Sequence, residues 1–377
     1  MPLQDKRLRE WASRLDQWLM ESALPLWWER GADPKGGYHE LLALDGSVPE
    51  SFRRARVQSR QSYTYALAGT MGWQGPWREA SQHGLDYLIK HYATDTPEFC
   101  TLVSSEGEVL DRSTLLYDQA FALLAAASIC KAMPERTDLK AMAHRLVDHI
   151  RKTRAHPAGG FVESSENRFI SNPQMHFFEA MLAWCEVEPG GVWETIADKI
   201  ADLCLTKFID KEGGFLREYF DETWRPAPGG KGHVVEPGHQ FEWTWLLERY
   251  ARMRGDKRAH NAALRLFEMG LRGIDPARDA AVHACNDSFA VTVPTARLWA
   301  QTERIKAALI LAPFGGERMI DEAVKGAATL WRYLETPLPG LWRDKLESDN
   351  CFVEEPAPAS SFYHIIICVE SLKEAAV

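Results

Sequence analysis

Apolar residues recur at helical spacing along most of the chain. Leu8, Trp11, Leu15, Trp18 and Leu19 mark one face of a helix over residues 3–24. The same spacing predicts helices at 56–73, 76–94, 113–131, 136–154, 173–187, 191–208, 238–254, 257–272, 293–312, 316–335 and 360–375. Two kinds alternate. One is apolar and rich in Ala and Trp on every face, so it belongs inside a layer of others. The second is amphipathic with a charged stripe, as at 137–154 and 316–335, so it belongs outside. The apolar helices start near 56, 113, 173, 238, 293 and 360, a helix-pair repeat of roughly 60 residues. Loops between pairs open on two glycines and an aromatic residue: Gly36-Gly37-Tyr38, Gly159-Gly160-Phe161 and Gly213-Gly214-Phe215, with Gly340-Leu341-Trp342 a weaker copy. Short alternating segments after them, such as Phe161-Val162-Glu163, predict small β-hairpins.

Six such pairs close into a double ring if the first helix of the chain pairs with the last. The expected fold is therefore all-α, an (α/α)6 barrel or six-hairpin toroid, forming a single domain over 1–377. Long loops and small hairpins would gather at the active-site end. An open superhelix of helix pairs is the alternative. Long loops collected at one end favour the barrel, because loops of that length are usually functional.

Composition narrows the function. The hydrophobic fraction is 45% and the charged fraction 26%, which supplies a large core in an ordinary globular chain. Trp is abundant, and burying it fills a core or lines a sugar-sized cleft. A formal net charge of −9, with no basic run beyond Arg53 to Arg60, argues against nucleic acid. The Cys residues are odd in number and include no C-x-x-C pair, so they read as reduced thiols. The N-terminus has no signal-peptide pattern, and the longest apolar run, Ala120 to Ile129, is too short to span a bilayer. The expectation is a cytoplasmic protein that avoids membranes.

In the closed ring, the N-terminal turns of the six apolar helices meet at one mouth, and they are polar. They carry Arg56, Gln58 and Arg60; Tyr117, Asp118 and Gln119; Asn172, His176 and Glu179; His239 and Glu242; Trp299, Gln301 and Glu303; Tyr363 and His364. Burying so many polar groups costs several kcal/mol unless they are paired or wet, so a hydrated pocket is expected. Structural readings stand beside this. His176 suits a core imidazole bonded to a carbonyl, Arg56 an ion pair with Glu179 or Glu303, and Trp299 plain core. Glu236-Pro237-Gly238 stops one segment and starts a helix, putting His239 and Glu242 one turn apart on one face. That is a proton-handling pair or a helix cap. Gly229-Gly230-Lys231-Gly232 lacks the spacing and the preceding strand of a P-loop. His176-x-x-Glu179 and His239-x-x-Glu242 reverse the usual Glu-x-x-His order, and no H-E-x-x-H occurs. No metal and no cofactor are expected.

Five ordered motifs carry a resemblance: Arg56-x-Gln58-x-Arg60, Met175-His176-x-Phe178-Glu179, Glu236 to Trp243, Arg297-Leu298-Trp299-x-Gln301-Thr302-Glu303, and Pro358-Ala359-Ser360-x-Phe362-Tyr363-His364. Together they resemble the N-acylglucosamine 2-epimerase family over nearly the whole chain. Within it, the chain is most similar to the bacterial branch of mannose and mannose-6-phosphate isomerases. The resemblance implies the (α/α)6 barrel and metal-independent interconversion of sugars at C1 and C2. It implies that His239 and His364 are the acid–base pair. Arg56, His176 and Glu242 take binding and supporting roles. The segment before His364 lacks the Lys-x-Pro-Tyr-His-Asn pattern of the cellobiose enzymes, which argues against a disaccharide. On this basis His364 is the C2 base, and His239 the ring-opening acid and second proton donor. Glu242 orients His239, and Arg56 stabilises an enediolate. Tyr117, Asn172, Glu179, Trp299, Gln301 and Glu303 complete the substrate-binding set. The favoured reaction is D-mannose to D-fructose. The alternatives are a 2-epimerase acting on mannose/glucose or N-acylglucosamine/N-acylmannosamine, a mannose-6-phosphate isomerase, a hydrolase or lyase using Glu242 and Glu303, and a non-catalytic binder. The partner is a monosaccharide, and the protein is a monomer or homodimer.

Overall fold

The amphipathic pattern resolves into two concentric layers in the computed structural model, which describes residues 5–376. The inner helices are Ala55–Thr70, Leu116–Ala132, Ser171–Val187, Pro237–Arg254, Leu298–Gly315 and Phe362–Ala376. Each packs on the next, and the last packs on the first. The outer helices are Lys6–Trp18, Trp77–His91, Thr137–Thr153, Gly191–Leu203, Lys257–Leu271 and Glu317–Leu334. Each covers an inner helix, and Lys6–Trp18 covers Phe362–Ala376 as the pairing of first with last requires. This is the (α/α)6 barrel. Among the described residues no helix is long and apolar enough to cross a membrane.

Local chemistry sets the helix ends. Asp5 and Asp256 cap Lys6–Trp18 and Lys257–Leu271 by accepting hydrogen bonds from first-turn N–H groups. Pro237 opens Pro237–Arg254, and left-handed Gly255 (φ 67°) closes it. The first helix runs past the expected end at 24 through π-helical turns at Leu19–Ala23 and Trp27–Gly31. Residues 3 and 4 of that expected helix lie outside the described residues. The helix expected from 293 starts at Leu298 instead, because Val291–Val293 and Ala296–Arg297 are strands. The ring seam is sealed by aromatic burial. Trp27 stacks on Trp342 at 4.7 Å and donates to the Gly340 carbonyl at 3.2 Å. Burying each of these indoles contributes roughly 2–3 kcal/mol.

One device repeats around the ring. The fourth residue of five inner helices is Gln, and each Gln clamps the backbone of one loop residue. Gln58 accepts from the Tyr38 N–H at 2.7 Å and donates to its carbonyl at 2.9 Å. Gln119 holds Phe99 in the same way, Gln174 holds Phe161, Gln240 holds Leu216 and Gln301 holds Ala281. The clamped residues close the tight turns that follow the outer helices, pairing across to Ala32, Ala93, Ala155, Ile209 and Ile274. This explains the Gly-Gly-aromatic signature. Gly37 has φ +73°, and a Cβ there would meet the Tyr87 ring at 2.6 Å.

The expected hairpin at Phe161-Val162-Glu163 is absent. Phe161 makes a single bridge. Small hairpins form elsewhere in the loops: Leu102–Val103 with Val109–Asp111, Ile274–Asp275 with Ala280–Ala281, and Ala284–Asn286 with Val291–Val293. Further strands pair across separate loops: Leu41–Leu42 with Ala357–Pro358, Arg53–Arg54 with Leu102–Val103, and Ala296–Arg297 with Lys345–Leu346.

Candidate active site

Because the clamps fix each helix in the same register, positions relative to the Gln share a depth in the barrel. Two residues before it stand Arg56, Tyr117, Asn172, Gly238 and Trp299, with Ser360 in the matching place in the turn Ala359–Ser361 that leads into the sixth helix. Two residues after it stand Arg60, Phe121, His176, Glu242 and Glu303, with His364 on the sixth. Most of these two layers, joined by His239, line a cavity of about 290 Å³ at the helix N-termini. Arg54, Glu236, His283, Arg297 and Ser361 complete its wall. Five residues past the Gln lie Tyr63, Leu124, Glu179, Trp245 and Lys306, with Ile367 on the sixth helix. They line a separate cavity at the opposite end.

His239, His364 and His176 therefore face one space. Trp299 lies between the first two, its ring 5.1 Å from His239 and 5.9 Å from His364. Gly238 makes room for it, since a Cβ there would sit 2.5 Å from the Trp299 ring. All three imidazoles turn Nδ1 to a carboxylate. His239 meets Glu218 at 3.0 Å, with Glu236 at 3.6 Å. His364 meets Glu303 at 2.9 Å. His176 meets Glu179 at 3.1 Å, with Glu242 at 3.8 Å. Among the described residues, Nε2 of His176 and of His364 has no protein partner, and Nε2 of His239 lies 3.3 Å from Asn172.

Similar contacts give opposite charge states. Burial alone would lower His239, but Glu218 and Glu236 outweigh it and hold the imidazole up at about 10. His364 is pushed well below the ordinary range by burial and by Arg60 and Lys306. His176 is lowered to about 4, chiefly by burial. Burial raises Glu236 to about 7, with Glu218 adding to it. Burial also drives Glu242 well up, reinforced by Glu303. At neutral pH the cavity thus holds a charged His239 and a neutral His364, a ready acid and a ready base.

Several sequence assignments change. Glu242 does not orient His239; Glu218, from the loop before the helix, does. Gln301 is a backbone clamp, as are Gln58 and Gln119, and is not among the residues that line this cavity. Glu303 stands behind His364 and binds Lys306 at 2.7 Å. Glu179 lies below His176, accepts from the Tyr363 hydroxyl and faces the far cavity. Arg56 pairs with Asp118 at 2.8 Å, not with Glu179 or Glu303. Arg60 donates to the Tyr117 hydroxyl and the Ser360 carbonyl, at 2.8 and 3.0 Å. Arg56, Tyr117, Asn172, His176, His239, Glu242, Trp299 and His364 line the cavity. Sequence reasoning did not assign Glu218, His283 or Arg297 to the site. Glu218 lies three residues past Gly213-Gly214-Phe215, and nothing in that loop's sequence marks it as facing His239.

Among the described residues, three groups lie close enough to bracket a cation: His176–Glu179–Glu242, Glu218–Glu236–His239 and Glu242–Glu303–His364. In each, Nδ1 already meets a carboxylate, and Lys306 caps Glu303. The donor sets read as hydrogen-bonded acid–base pairs.

The sequence profile of the N-acylglucosamine 2-epimerase (GlcNAc 2-epimerase) family fits residues 36–368. The chain belongs to this family. It is 45% identical to the mannose-6-phosphate isomerase of Rhizobium meliloti (strain 1021), over 96% of this chain and 97% of that one. In fold it matches a crystal structure of D-mannose isomerase, with TM-score 0.88 and 18% identity over 99% and 98% of the two chains. It likewise matches cellobiose 2-epimerase from Bacillus thermoamylovorans B4167, with TM-score 0.87 and 16% identity over 96% and 99%. Every helix pair of this family member thus has a counterpart in those folds, and the cavity lies at the end where its loops gather.

Proposed function

We propose that the protein is an aldose–ketose isomerase that converts D-mannose to D-fructose through an enediolate, with His364 as base and His239 as acid. The observation that carries this is the placing of two imidazoles on either side of Trp299, each with Nδ1 turned to a buried glutamate and both facing one cavity. Charged His239 gives its Nε2 proton to the ring oxygen as the sugar opens and takes up the proton that O1 releases, leaving the open-chain aldose beside a charged His239. Neutral His364 takes the C2 proton at Nε2, acidified by the C1 carbonyl. Arg56 spends its Nε on Asp118, and its terminal nitrogens have no protein partner among the described residues. They face the oxygen on which charge develops. His239 protonates O1 to give the enediol; His364, now an imidazolium, then returns its proton to C1 while the neutral His239 takes the O2 proton, which gives the ketose and restores both imidazoles. Trp299 supplies a flat apolar platform for the sugar, and His176 and Asn172 offer polar contacts beside it. No cofactor is required, because every proton has a donor and an acceptor in the cavity.

The charge balance favours a neutral sugar. Of the cavity arginines, Arg54 pairs with Glu40, Arg56 with Asp118 and Arg297 with Asp344. A second reading, a hexose 6-phosphate, is favoured by the name of the 45%-identical relative and by Arg60, which binds no carboxylate among the described residues. Incubation with mannose, and separately with mannose 6-phosphate, in heavy water tests both. Deuterated fructose supports the proposal, and fructose 6-phosphate formed alone supports the second reading. Glucose formed alone makes the protein a 2-epimerase.

A further inference from the structure

His239 and His364 both turn Nδ1 to a buried glutamate at nearly equal distance, 3.0 and 2.9 Å, yet only His239 is held charged. Such a contact ordinarily favours the imidazolium. Two geometric differences separate them. His239 has a second carboxylate, Glu236, 3.6 Å from its Nδ1. The second oxygen of each partner glutamate is buried with no hydrogen bond, but that of Glu303 lies 2.7 Å from the ammonium of Lys306, with both side chains fully buried. An unbroken row of ammonium, carboxylate and imidazole therefore ends at the cavity.

The groups facing this row are few. Arg60 comes from Ala55–Thr70, His176 and Glu179 from Ser171–Val187, and Glu242 from Pro237–Arg254. Tyr363, beside His364, donates to Glu179, and Cys368 lies near Lys306. Three carboxylates, Glu179, Glu242 and Glu303, thus act on one lysine. Trp245 lies against its far side, with Nζ 4.1 Å from the ring centre.

We propose that Lys306 is a positioning residue for the base: by neutralising Glu303 it lets that carboxylate orient His364 without charging it. The inference rests on the reading of His364 as the C2 base. The test compares the pH dependence of kcat/KM in wild type, Lys306→Met, Lys306→Arg and Lys306→Met/Glu303→Gln, alongside NMR titration of the His364 ring. With the ammonium gone and Glu303 left bare, the acidic limb and the ring titration of Lys306→Met move up by at least one pH unit. Activity then falls 10-fold or more on the acid side. Lys306→Arg keeps the wild-type limb, and the double variant returns it toward wild type at reduced kcat. If Lys306→Met does not fold, Lys306→Gln carries the same comparison. A uniform loss with unmoved limb and ring titration overturns the proposal and leaves Lys306 structural. A moved ring titration in an enzyme whose turnover survives His364→Asn would instead sustain the charge argument and overturn the assignment of the base.

Discussion

Glu218→Gln isolates the electrostatics of the acid. The substitution keeps the shape of the side chain and its contact with Ser171, which donates to Glu218 at 2.6 Å. It removes the charge that contributes most to raising His239. Holding the imidazole at about 10, against an ordinary value of 6.5, is worth on the order of 5 kcal/mol between the two protonation states. Without Glu218, burial pulls the ring down again. Glu236, freed of a like-charged neighbour, ionises more readily and offsets part of the fall. Taking the ordinary value for the variant, the charged fraction at pH 8 drops from nearly all to about 3%, a loss of roughly 30-fold. At pH 6 the loss is less than about twofold. The sign follows from the role: an acid works below its pKa, so activity is lost as pH rises through it, and the variant loses it earlier. The assay is kcat/KM against pH for mannose isomerisation. A basic limb near 10 in wild type and near neutrality in Glu218→Gln is expected. An unmoved limb in the variant would refute the assignment of His239 as the charged acid.

Replacing a clamp that does not carry Glu218 should affect stability alone. Gln174→Leu strands the buried N–H and carbonyl of Phe161 and lowers unfolding free energy by about 2–5 kcal/mol in urea titration, with KM unchanged if the enzyme is assayed cold. Arg56→Met removes the proposed enediolate donor and lowers kcat by about 10²–10³-fold, with a much smaller change in KM, in steady-state kinetics. Dialysis against EDTA followed by assay should leave activity within error of the untreated enzyme. A loss restored by one divalent ion would show that a His–carboxylate group is a ligand set.

The barrel was legible because its two helix types bury different numbers of faces, and burial is written in apolar periodicity. The mouth was legible for the same reason, since polar residues inside an otherwise apolar helix need a cavity or a partner. Periodicity does not separate those two outcomes. Gln58, Gln119 and Gln301 looked like site residues, and each spends its amide on a loop backbone. Glu179 lies one helical turn deeper than His176, and Glu303, at the depth of His364, gives its carboxylate to His364 and Lys306 instead of the cavity. Glu218 was illegible: it comes from a loop, and its meeting with His239 depends on the Gln240 clamp at Leu216, two residues before it. Lys306 looks like another charged residue until the inner ring is closed around it.

The central claim is that the ring of residue 364 removes hydrogen from C2 of the sugar. It is tested most directly by following deuterium from heavy water into mannose and fructose by NMR, with wild type and His364→Asn at equal concentration and confirmed fold. The account predicts label at C1 of fructose or C2 of recovered mannose with wild type, and at least a 10³-fold slower entry with the variant. Label entering at the wild-type rate in His364→Asn would contradict it.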